Sequence, residues 1–399
     1  MQKLKKILKQ LISQEFINKF WHLPKAILAN IWYGFPTRGM KVIGITGTDG
    51  KTTTTNMIYQ ILKSAGKKVS MVSTINAEVA GKSYDTGFHV TSPDPLTIQK
   101  FAKAAKDHKD EYLVLEVTSH SLDQYRFWGI KFEVGVITNI THEHLDYHKT
   151  FENYLNTKLK LIQNVKFAIV NREVRGITGK LLTFGLSKGN FNQKEIKLKL
   201  QIPGDYNLEN ALAALAVAFV LDIKKETAKK ALENFTGLKG RMEEIKNNKG
   251  IKIFVDFAHT PNGLEQALKA LRTQRRGKII ALIGAEGFRD EGKRAMMGDI
   301  AQRLADIVIV TAVDPRGLIE RINAQITQGA KKSGAKENKN FFVINDRKKA
   351  IEFAINNLAK KGDIVGIFGK GHELSMNLDG KKEIPWSDVE VVRWIVNTN

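Results

Sequence analysis

Residues 42–54 read VIGITGTDGKTTT, an apolar run that leads directly into glycines, a lysine and threonines. The glycines allow a tight turn that aims backbone N–H groups at an anion, and the N-terminus of a following helix adds partial positive charge. Lys51 can reach the terminal phosphates of a nucleotide, and Thr52 can ligate Mg²⁺. The strict phosphate-loop pattern has glycine where this chain has Ile45, so the stretch predicts a variant nucleoside triphosphate site.

Short apolar, β-branched runs alternate with helical patterns on either side of a boundary near residues 235–239. Runs of the first group cover residues 42–46, 69–74, 112–117, 134–140 and 167–170. Runs of the second group cover residues 253–257, 279–284, 307–311, 341–345 and 363–369. This rhythm predicts an α/β fold with a central P-loop ATPase-type domain, whose sheet is mainly parallel, and a smaller Rossmann-like C-terminal domain.

Three domains are expected: a short helical N-terminal arm at residues 1–40, a central ATP-binding domain at 41–237 and a C-terminal domain at 238–399. Leucines and isoleucines recur at helical spacing over residues 4–12 with lysines between them, and aromatic residues including Trp21 and Trp32 follow. Such an arm either contacts a membrane surface or a partner, or packs as a helix on the next domain. Both interpretations stay open.

Composition excludes several classes of protein. The 399 residues include 63 Lys and Arg against 41 Asp and Glu, a net charge of +22, and no cysteine. Disulfides, thiolate nucleophiles and thiolate metal sites are therefore excluded. No apolar run is long enough to span a membrane and no cleavable signal is present, so a cytoplasmic location is expected. The basic residues lie largely without interleaved aromatics, so we expect no nucleic-acid partner.

Several ordered segments together resemble the Mur ligase superfamily. They are residues 44–53 (GITGTDGKTT), 91–93 (TSP), 116–122 (EVTSHSL), 138–148 (TNITHEHLDYH), 240–243 (GRME), 256–261 (DFAHTP), 314–316 (DPR) and 369–373 (GKGHE). Within the superfamily the set is most similar to UDP-N-acetylmuramoyl-tripeptide synthetases, which add the third amino acid of the peptidoglycan stem peptide. Only the short arm precedes the loop, so the family's usual N-terminal UDP-binding domain is not expected.

The resemblance implies an ATP-dependent ligase that activates a carboxylate as an acyl phosphate and joins it to the amine of a free amino acid. The implied acceptor is an acidic muramoyl peptide, UDP-linked or lipid-linked, in peptidoglycan precursor synthesis. A relative that extends another carboxylate, of the folylpolyglutamate, poly-γ-glutamate or cyanophycin type, is the alternative enzyme. An ATPase that binds nucleic acid is the alternative from another class. Contact of residues 1–35 with a membrane and the oligomeric state stay open.

The residues themselves supply part of the catalytic site. Glu116 ends an apolar strand, where a carboxylate can serve as a hard oxygen ligand or as a salt-bridged strand end. His144 follows the run 134–140, at the strand end where open α/β sheets place ligands. The resemblance implies a Mg²⁺ set of Thr52, Glu116, His144 and Lys158, with Lys158 carbamylated by CO₂. A zinc site formed by His142, His144 and His148 is the weaker interpretation.

The resemblance also assigns the remaining site residues. Those implied to bind ATP are Gly47, Thr48, Asp49, Gly50, Lys51, Thr52, Thr53, Asn139, Asn207, Asn210, Arg241 and Asp256. Those implied to be catalytic are Lys51, Glu116, His144, Lys158 and Arg241. Those implied to bind the acceptor are Thr91, Ser92, Ser119 and Arg126, although Ser92 could simply cap a turn and Arg126 could form an ion pair.

The incoming amino acid is implied to contact five residues: Arg289 at its α-carboxylate, and Asp314, Arg316, Gly369 and Glu373 around its side chain. Guanidinium groups suit this role because they bind carboxylates through two parallel hydrogen bonds. Members that add diaminopimelate carry Asp-Asn-Pro-Arg where this chain has Val313-Asp314-Pro315-Arg316. Diaminopimelate is therefore favoured, and lysine or another amino acid stays an alternative.

Overall fold

A computed structural model describes residues 13–85 and 93–398. The expected helix over residues 4–12, and the site residues Thr91 and Ser92, lie outside the described residues. The chain forms two compact units. The first comprises Met1–Ile140, Thr150–Lys199 and Glu209–Asn234, and the second comprises Thr141–Lys149, Leu200–Leu208 and Phe235–Asn399.

The sheet of the first unit has nine strands in the order β4-β3-β2-β5-β1-β6-β7-β8-β9. They are β1 (Lys41–Thr46), β2 (Val69–Val72), β3 (Asn76–Val79), β4 (Lys82–Asp85), β5 (Tyr112–Glu116), β6 (Phe132–Ile137), β7 (Phe167–Asn171), β8 (Leu181–Gly185) and β9 (Phe191–Asn192). All neighbours are parallel except the β2–β3 and β3–β4 pairs. The mainly parallel sheet predicted from the sequence is confirmed.

Strand β1 lies at the centre of this sheet because its residues can be buried on both faces. Residues 42–46 are all buried, as is typical of a continuous apolar run in a parallel sheet. Gly44 leaves room for its neighbours, since a Cβ there would lie 2.7 Å from Leu161 Cδ1. β1 pairs with β5 on one side and β6 on the other, so the carboxyl ends of these three strands share one sheet edge.

Helices connect the strands of the first unit and begin at recognisable caps. They are Gln14–Ile17, Leu23–Trp32, Lys51–Ser64, Pro95–Asp107, Ser119–Asp123, Phe151–Leu159, Gln193–Ile196, Asp205–Val220 (which continues from the second unit) and Lys225–Glu233. A π turn spans Asn18–His22 and a 3₁₀ turn spans Lys160–Ile162. The Asp94 and Thr150 side chains accept backbone hydrogen bonds at the starts of two of these helices.

The second unit contains a six-stranded sheet in the order β10-β11-β15-β12-β13-β14. Its strands are β10 (Glu243–Ile245), β11 (Lys252–Asp256), β12 (Ile279–Ile283), β13 (Ile307–Val310), β14 (Phe341–Val343) and β15 (Ile364–Phe368), and β16 (Ser375–Met376) and β17 (Ile384–Pro385) form a separate hairpin. Only β10 is antiparallel to its neighbour in the six-stranded sheet, so this sheet is mixed.

Helices cover both faces of this second sheet, as a doubly wound fold requires. They are Pro261–Gln274, Gly292–Leu304, Ile319–Lys332, Arg347–Glu352 and Asp388–Thr398, with a π-helical stretch at Phe353–Leu358, and this unit also contains the short helix Leu145–His148. One core includes Leu264, Met297 and Ile322, whereas the other includes Ile351 and Val392. The expected α/β class of this unit is confirmed.

The described part of the N-terminal arm packs on the first unit through small and amide side chains. Ala26 and Ala29 are fully buried. Asn18 donates to Asp123 Oδ2 at 2.7 Å, and Asn30 donates to the Trp128 carbonyl at 2.5 Å. None of the helices within residues 13–85 and 93–398 is long and apolar enough to cross a membrane.

Candidate active site

The glycine-rich loop connects β1 to the helix Lys51–Ser64. Gly50 precedes this helix with φ of 81°, a left-handed conformation that glycine adopts without steric cost. A Cβ at Gly50 would collide with Asn210 Oδ1, and one at Gly47 would collide with the Thr138 hydroxyl. The loop therefore requires glycine at both positions.

Residues that follow β6 hold the loop in shape. The backbone N–H of Thr48 donates to the Asn139 carbonyl at 2.9 Å. The Asn139 side chain accepts from the Asp49 N–H at 2.9 Å and donates to the Asp49 carbonyl at 3.1 Å. Thr138 Oγ1 donates to the same carbonyl at 2.6 Å. Asn139, a predicted ATP-binding residue, is thus a direct partner of the loop backbone.

Two lysine ammonium groups converge on the Gly47 carbonyl. Lys51 Nζ lies 3.0 Å from this oxygen and 2.7 Å from the Thr48 carbonyl. Lys158 Nζ lies 2.6 Å from the Gly47 oxygen, is buried, and stands 4.7 Å from the Tyr154 ring centroid. Positive charge is therefore concentrated at the loop, where the terminal phosphates of a nucleotide would need it.

Tyr154 is a residue of this site to which the sequence reasoning assigned no role. Its hydroxyl lies 3.0 Å from Thr48 Oγ1, and its ring is fully buried. The helix Phe151–Leu159 places Tyr154 and Lys158 on the same face because they are four residues apart. The four-residue spacing between Tyr154 and Lys158 is the sequence feature from which a role for Tyr154 in this site could have been predicted.

A hydroxyl and a carboxylate suited to a hard cation lie together at the start of the loop helix. Thr52 Oγ1 donates to Glu116 Oε1 at 3.1 Å, and the Thr74 N–H donates to Glu116 Oε2 at 2.9 Å. Glu116 is only 3% exposed. Oxygen donors of this kind are those that Mg²⁺ prefers, so the residues present fit the ion that the sequence implies.

Three further residues predicted to bind ATP, Thr53, Asn207 and Asn210, differ in their surroundings. Thr53 is buried in the first turn. Thr54 Oγ1 lies 3.2 Å from Asn210 Oδ1, so the predicted ATP-side residue Asn210 faces the start of the loop helix. Asn207 instead donates to the Pro203 carbonyl at 2.6 Å.

His144 belongs to the second unit. It precedes the helix Leu145–His148 with φ of 58°. Its neighbour Glu143, for which the sequence suggested no role, accepts a hydrogen bond from Lys293 at 3.1 Å, and both side chains are buried. His142 lies 3.4 Å from Asp290. Within residues 13–85 and 93–398 no three His, Cys, Asp or Glu side chains are grouped to hold a metal.

Asp256 is the last residue of strand β11 in the second unit, and Arg241 precedes β10, the antiparallel neighbour of β11. The Asp256 carboxylate accepts from the backbone N–H groups of Met242 and Ala258, each at 2.7 Å. The Arg241 guanidinium stacks over the Phe257 ring at 4.5 Å. Asp256 is therefore oriented by backbone groups and Arg241 by an aromatic face.

Asp314, Lys370 and Glu373 form a buried charged cluster at the ends of β13 and β15. Lys370 Nζ donates to Asp314 Oδ1 at 2.9 Å and to Glu373 Oε2 at 2.5 Å. Asp314 also accepts from the Asn377 N–H at 3.0 Å. Lys370 has no solvent exposure. The sequence reasoning quoted the motif 369–373 without giving this lysine a role.

The surroundings of this cluster shift the pKa values of two carboxyl groups, Glu373 and the nearby Glu286, in opposite directions. Burial raises the pKa of Glu373 to about 7, with a further rise from the negative charge of Glu286, although Lys370 acts in the opposite direction. Burial also acts to raise the pKa of Glu286, but the positive charges of Lys293, His259 and Arg289 outweigh it and hold that pKa at about 2. The surroundings therefore shift the pKa of Glu373 upward and that of Glu286 downward.

The other residues predicted to bind the incoming amino acid follow strands β12, β13 and β15. Arg289 is 40% exposed and its Nε donates to Glu286 Oε2 at 3.1 Å. Arg316 has φ of 51°, and its buried Nε has no hydrogen-bond partner within the described part of the chain. The Gly369 N–H donates to the Asp256 carbonyl at 3.0 Å. Arg316 therefore has an unused donor available for a carboxylate.

Two of the four predicted acceptor residues are described. Ser119 begins the helix Ser119–Asp123, and its buried hydroxyl has no hydrogen-bond partner among the residues the structure describes. Arg126 Nε and Nη2 donate to Gln124 Oε1 at 3.0 and 2.8 Å, and Nη1 donates to the Pro93 carbonyl at 3.4 Å. The Gln124 side chain and the Pro93 carbonyl thus orient the Arg126 guanidinium.

Family models and known proteins match these features. Residues 45–190 match the Mur ligase middle domain, and residues 240–371 match the Mur ligase glutamate ligase domain. The UDP-N-acetylmuramoyl-L-alanyl-D-glutamate–2,6-diaminopimelate ligase of Clostridium botulinum is 36% identical over 93% of this chain and 81% of the relative. Ligase 1 of the same name from Clostridium acetobutylicum is 36% identical over 92% of this chain and 80% of the relative.

A solved structure of a UDP-N-acetylmuramoyl-L-alanyl-D-glutamate–2,6-diaminopimelate ligase has a TM-score of 0.60 and 26% identity. The match covers 94% of this chain and 82% of that one. Together with the two domain models and the curated relatives, this shows that the chain belongs to the Mur ligase family.

Proposed function

We propose that this member of the Mur ligase family is an ATP-dependent, ADP-forming ligase that adds a free amino acid to a muramoyl-peptide acceptor in peptidoglycan precursor synthesis. The observation that carries the proposal is the 36% identity to a diaminopimelate-adding ligase across 93% of the chain. The glycine loop with Lys51, Thr52 and Glu116 in contact supports the ATP step. The reaction would occur in the cytoplasm, where ATP is available.

The loop would bind the phosphates of ATP through its backbone N–H groups and Lys51. Residues 47–53 are those expected to contact the triphosphate, and Asn139 and Asn210 hold them in position. On nucleotide binding, Lys51 would exchange its contacts with the loop carbonyls for contacts with phosphate oxygens. Arg241, Asn207 and Asp256 would contact the remainder of the nucleotide.

Thr52 and Glu116 would hold Mg²⁺, with His144 contributing by resemblance. The ion supplies positive charge that neutralises the phosphates during transfer of the γ-phosphoryl group. The acceptor carboxylate would take that phosphoryl group, with release of ADP, and become an acyl phosphate. The amine of the incoming amino acid would then attack the acyl carbon, expel inorganic phosphate and lose a proton to form the amide. The protein contributes by positioning the reactants and by excluding water.

Lys158 would carry a carbamate. In that reaction the ammonium first releases a proton, the resulting neutral amine bonds to the carbon of CO₂, and a second proton leaves to solvent, so that a cation is replaced by an anion. The side chain is buried beside Gly47 and Tyr154, where an unmodified ammonium is poorly solvated. A carbamate there would support the metal and the acceptor carboxylate.

The amino acid would bind at the ends of β12, β13 and β15. Arg289 suits its α-carboxylate, and Arg316, whose Nε has no hydrogen-bond partner in the described part of the chain, suits a distal carboxylate. Asp314, Glu373 and Gly369 would contact the rest of the side chain. Diaminopimelate has the distal carboxylate and ammonium that this set can recognise.

The acceptor would contact Ser119 and Arg126, together with Thr91 and Ser92. The Ser119 hydroxyl, which has no hydrogen-bond partner among the described residues, and the cationic Arg126 suit an acidic peptide. The muramoyl peptide of this acceptor would be attached either to uridine diphosphate or to a lipid. A lipid carrier would bring residues 1–35 into contact with a membrane.

Product analysis tests the proposal. ADP release is measured with diaminopimelate or lysine and with UDP-linked or lipid-linked muramoyl dipeptide, and the product mass is determined. We expect ADP and a peptide heavier by one amino acid, both abolished in Lys51→Ala and retained in Lys63→Ala, which changes an exposed lysine of the same helix. ADP release without a dependence on amino acid and acceptor would refute the ligase assignment.

A further inference from the structure

Six large apolar side chains are exposed on the N-terminal helices, and together they are here called the aromatic face. Their exposed fractions are 51% for Phe16, 67% for Phe20, 70% for Trp21, 65% for Leu28, 58% for Ile31 and 81% for Trp32. The Phe16 and Phe20 rings pack against each other with centroids 4.4 Å apart. Single exposed apolar residues are ordinary on protein surfaces, whereas six large ones within 17 residues of two successive helices indicate an interaction site.

The aromatic face cannot be explained by packing on the first unit, because the opposite side of the same helices already does that. Asn18, Ala26, Ala29 and Asn30 are the buried positions, and the two asparagines donate to Asp123 and Trp128. The π turn Asn18–His22 adds a residue to its turn, which keeps Phe16 and Phe20 on the side of Leu28 and Ile31. The helices therefore have two apolar or small-residue faces, only one of which has a protein partner in the described residues.

The excess of positive charge in this part of the sequence favours a negatively charged partner for the aromatic face. Residues 1–40 contain seven lysines and arginines and one acidic residue, Glu15. Lys19, which pairs with Glu15 at 2.7 Å, and Lys25 are both exposed. Four further lysines lie at positions 3, 5, 6 and 9, directly before the described helices. Exposed tryptophans beside a cluster of lysines are typical of segments that lie in the interface of an anionic bilayer.

We propose that the aromatic face is a membrane-docking surface that inserts its tryptophan and phenylalanine rings into the headgroup region of an anionic lipid bilayer. The exposed Lys19 and Lys25 then lie near the phospholipid headgroups, and the excess of lysine over acidic residues in this part of the sequence adds electrostatic attraction. The attachment is peripheral and reversible. It does not depend on the ligase reaction, so a failure of the proposed function leaves it standing.

Flotation of the full-length protein with vesicles tests the proposal. One vesicle type contains phosphatidylglycerol and the other only phosphatidylcholine. The variant Trp21→Ser/Trp32→Ser removes the two most exposed rings, and Trp394→Ser is the matched control because it removes a half-exposed tryptophan from the second unit. Thermal unfolding checks that each variant is folded.

We expect the parent and Trp394→Ser to float with phosphatidylglycerol vesicles, more strongly at low salt than at high salt. The double variant should lose affinity at least about tenfold, since each large aromatic contributes buried apolar area. Equal binding by the double variant and the parent would overturn the proposal, as would equal binding to both vesicle types. A parent that forms dimers dispersed by the double variant, without binding vesicles, would assign the face to a second copy instead.

Discussion

Replacement of Glu373 by glutamine should change how stability depends on pH. The pKa of this carboxyl is about 7 in the folded protein, because burial and the charge of Glu286 disfavour ionisation, and 4.5 is its ordinary value. Between pH 4.5 and 7 the folded protein therefore holds a proton that the unfolded chain has released. The free energy of unfolding must fall as pH rises through this window.

The size of the effect follows from the two pKa values. A difference of about 2.5 pH units, at about 1.4 kcal/mol each, corresponds to about 3 kcal/mol of stability that is present below pH 4.5 and absent above pH 7. The Glu373 side chain is only 13% exposed, so solvent screens the effect little. Glutamine does not titrate, so Glu373→Gln should lack this slope.

The assay is urea unfolding at a series of pH values from 4.5 to 8, followed by tryptophan fluorescence, to which Trp386 and Trp394 of the second unit contribute. The difference in unfolding free energy between Glu373→Gln and the parent should grow by about 3 kcal/mol in favour of the variant across this range. Glu390→Gln, which changes an exposed carboxylate, is the control and should run parallel to the parent. A Glu373→Gln curve parallel to the parent would refute the assignment of a raised pKa to Glu373.

Four substitutions test the catalytic roles. Lys51→Ala should lower turnover about a hundredfold or more while leaving thermal unfolding unchanged, and normal turnover would contradict a phosphate-binding role. Glu116→Gln should weaken the dependence of activity on Mg²⁺, so that saturation requires more Mg²⁺; an unaltered Mg²⁺ titration would remove Glu116 from the metal site. Lys158→Ala should be inactive and partly rescued by short-chain carboxylic acids, and absence of rescue combined with an unmodified lysine by mass spectrometry would exclude the carbamate. Arg316→Ala should raise KM for diaminopimelate about tenfold to a hundredfold and that for lysine less, and equal losses would show that Arg316 does not contact the distal carboxylate.

Local sequence patterns predicted the strands that carry the site. The run 42–46 became the buried strand β1, and the glycines after it formed the turn before the helix at Lys51. These features follow from side-chain size and backbone freedom over a few residues, which a single sequence displays. The strand predicted at residues 134–140 is too long at its C-terminal end, because β6 ends at Ile137. The next two residues, Thr138 and Asn139, form hydrogen bonds with the phosphate loop instead.

The sequence by itself therefore determined the α/β class, the phosphate loop and the order of the motifs, because each depends on neighbours close along the chain. Only the tertiary structure decided which charged groups meet. Lys370 reaches Asp314 across 56 positions, and Lys293 reaches Glu143 across 150. Such pairs form only when strands and helices distant in the sequence pack together. Burial and neighbouring charges at the packed site then raise the pKa of Glu373 and lower that of Glu286.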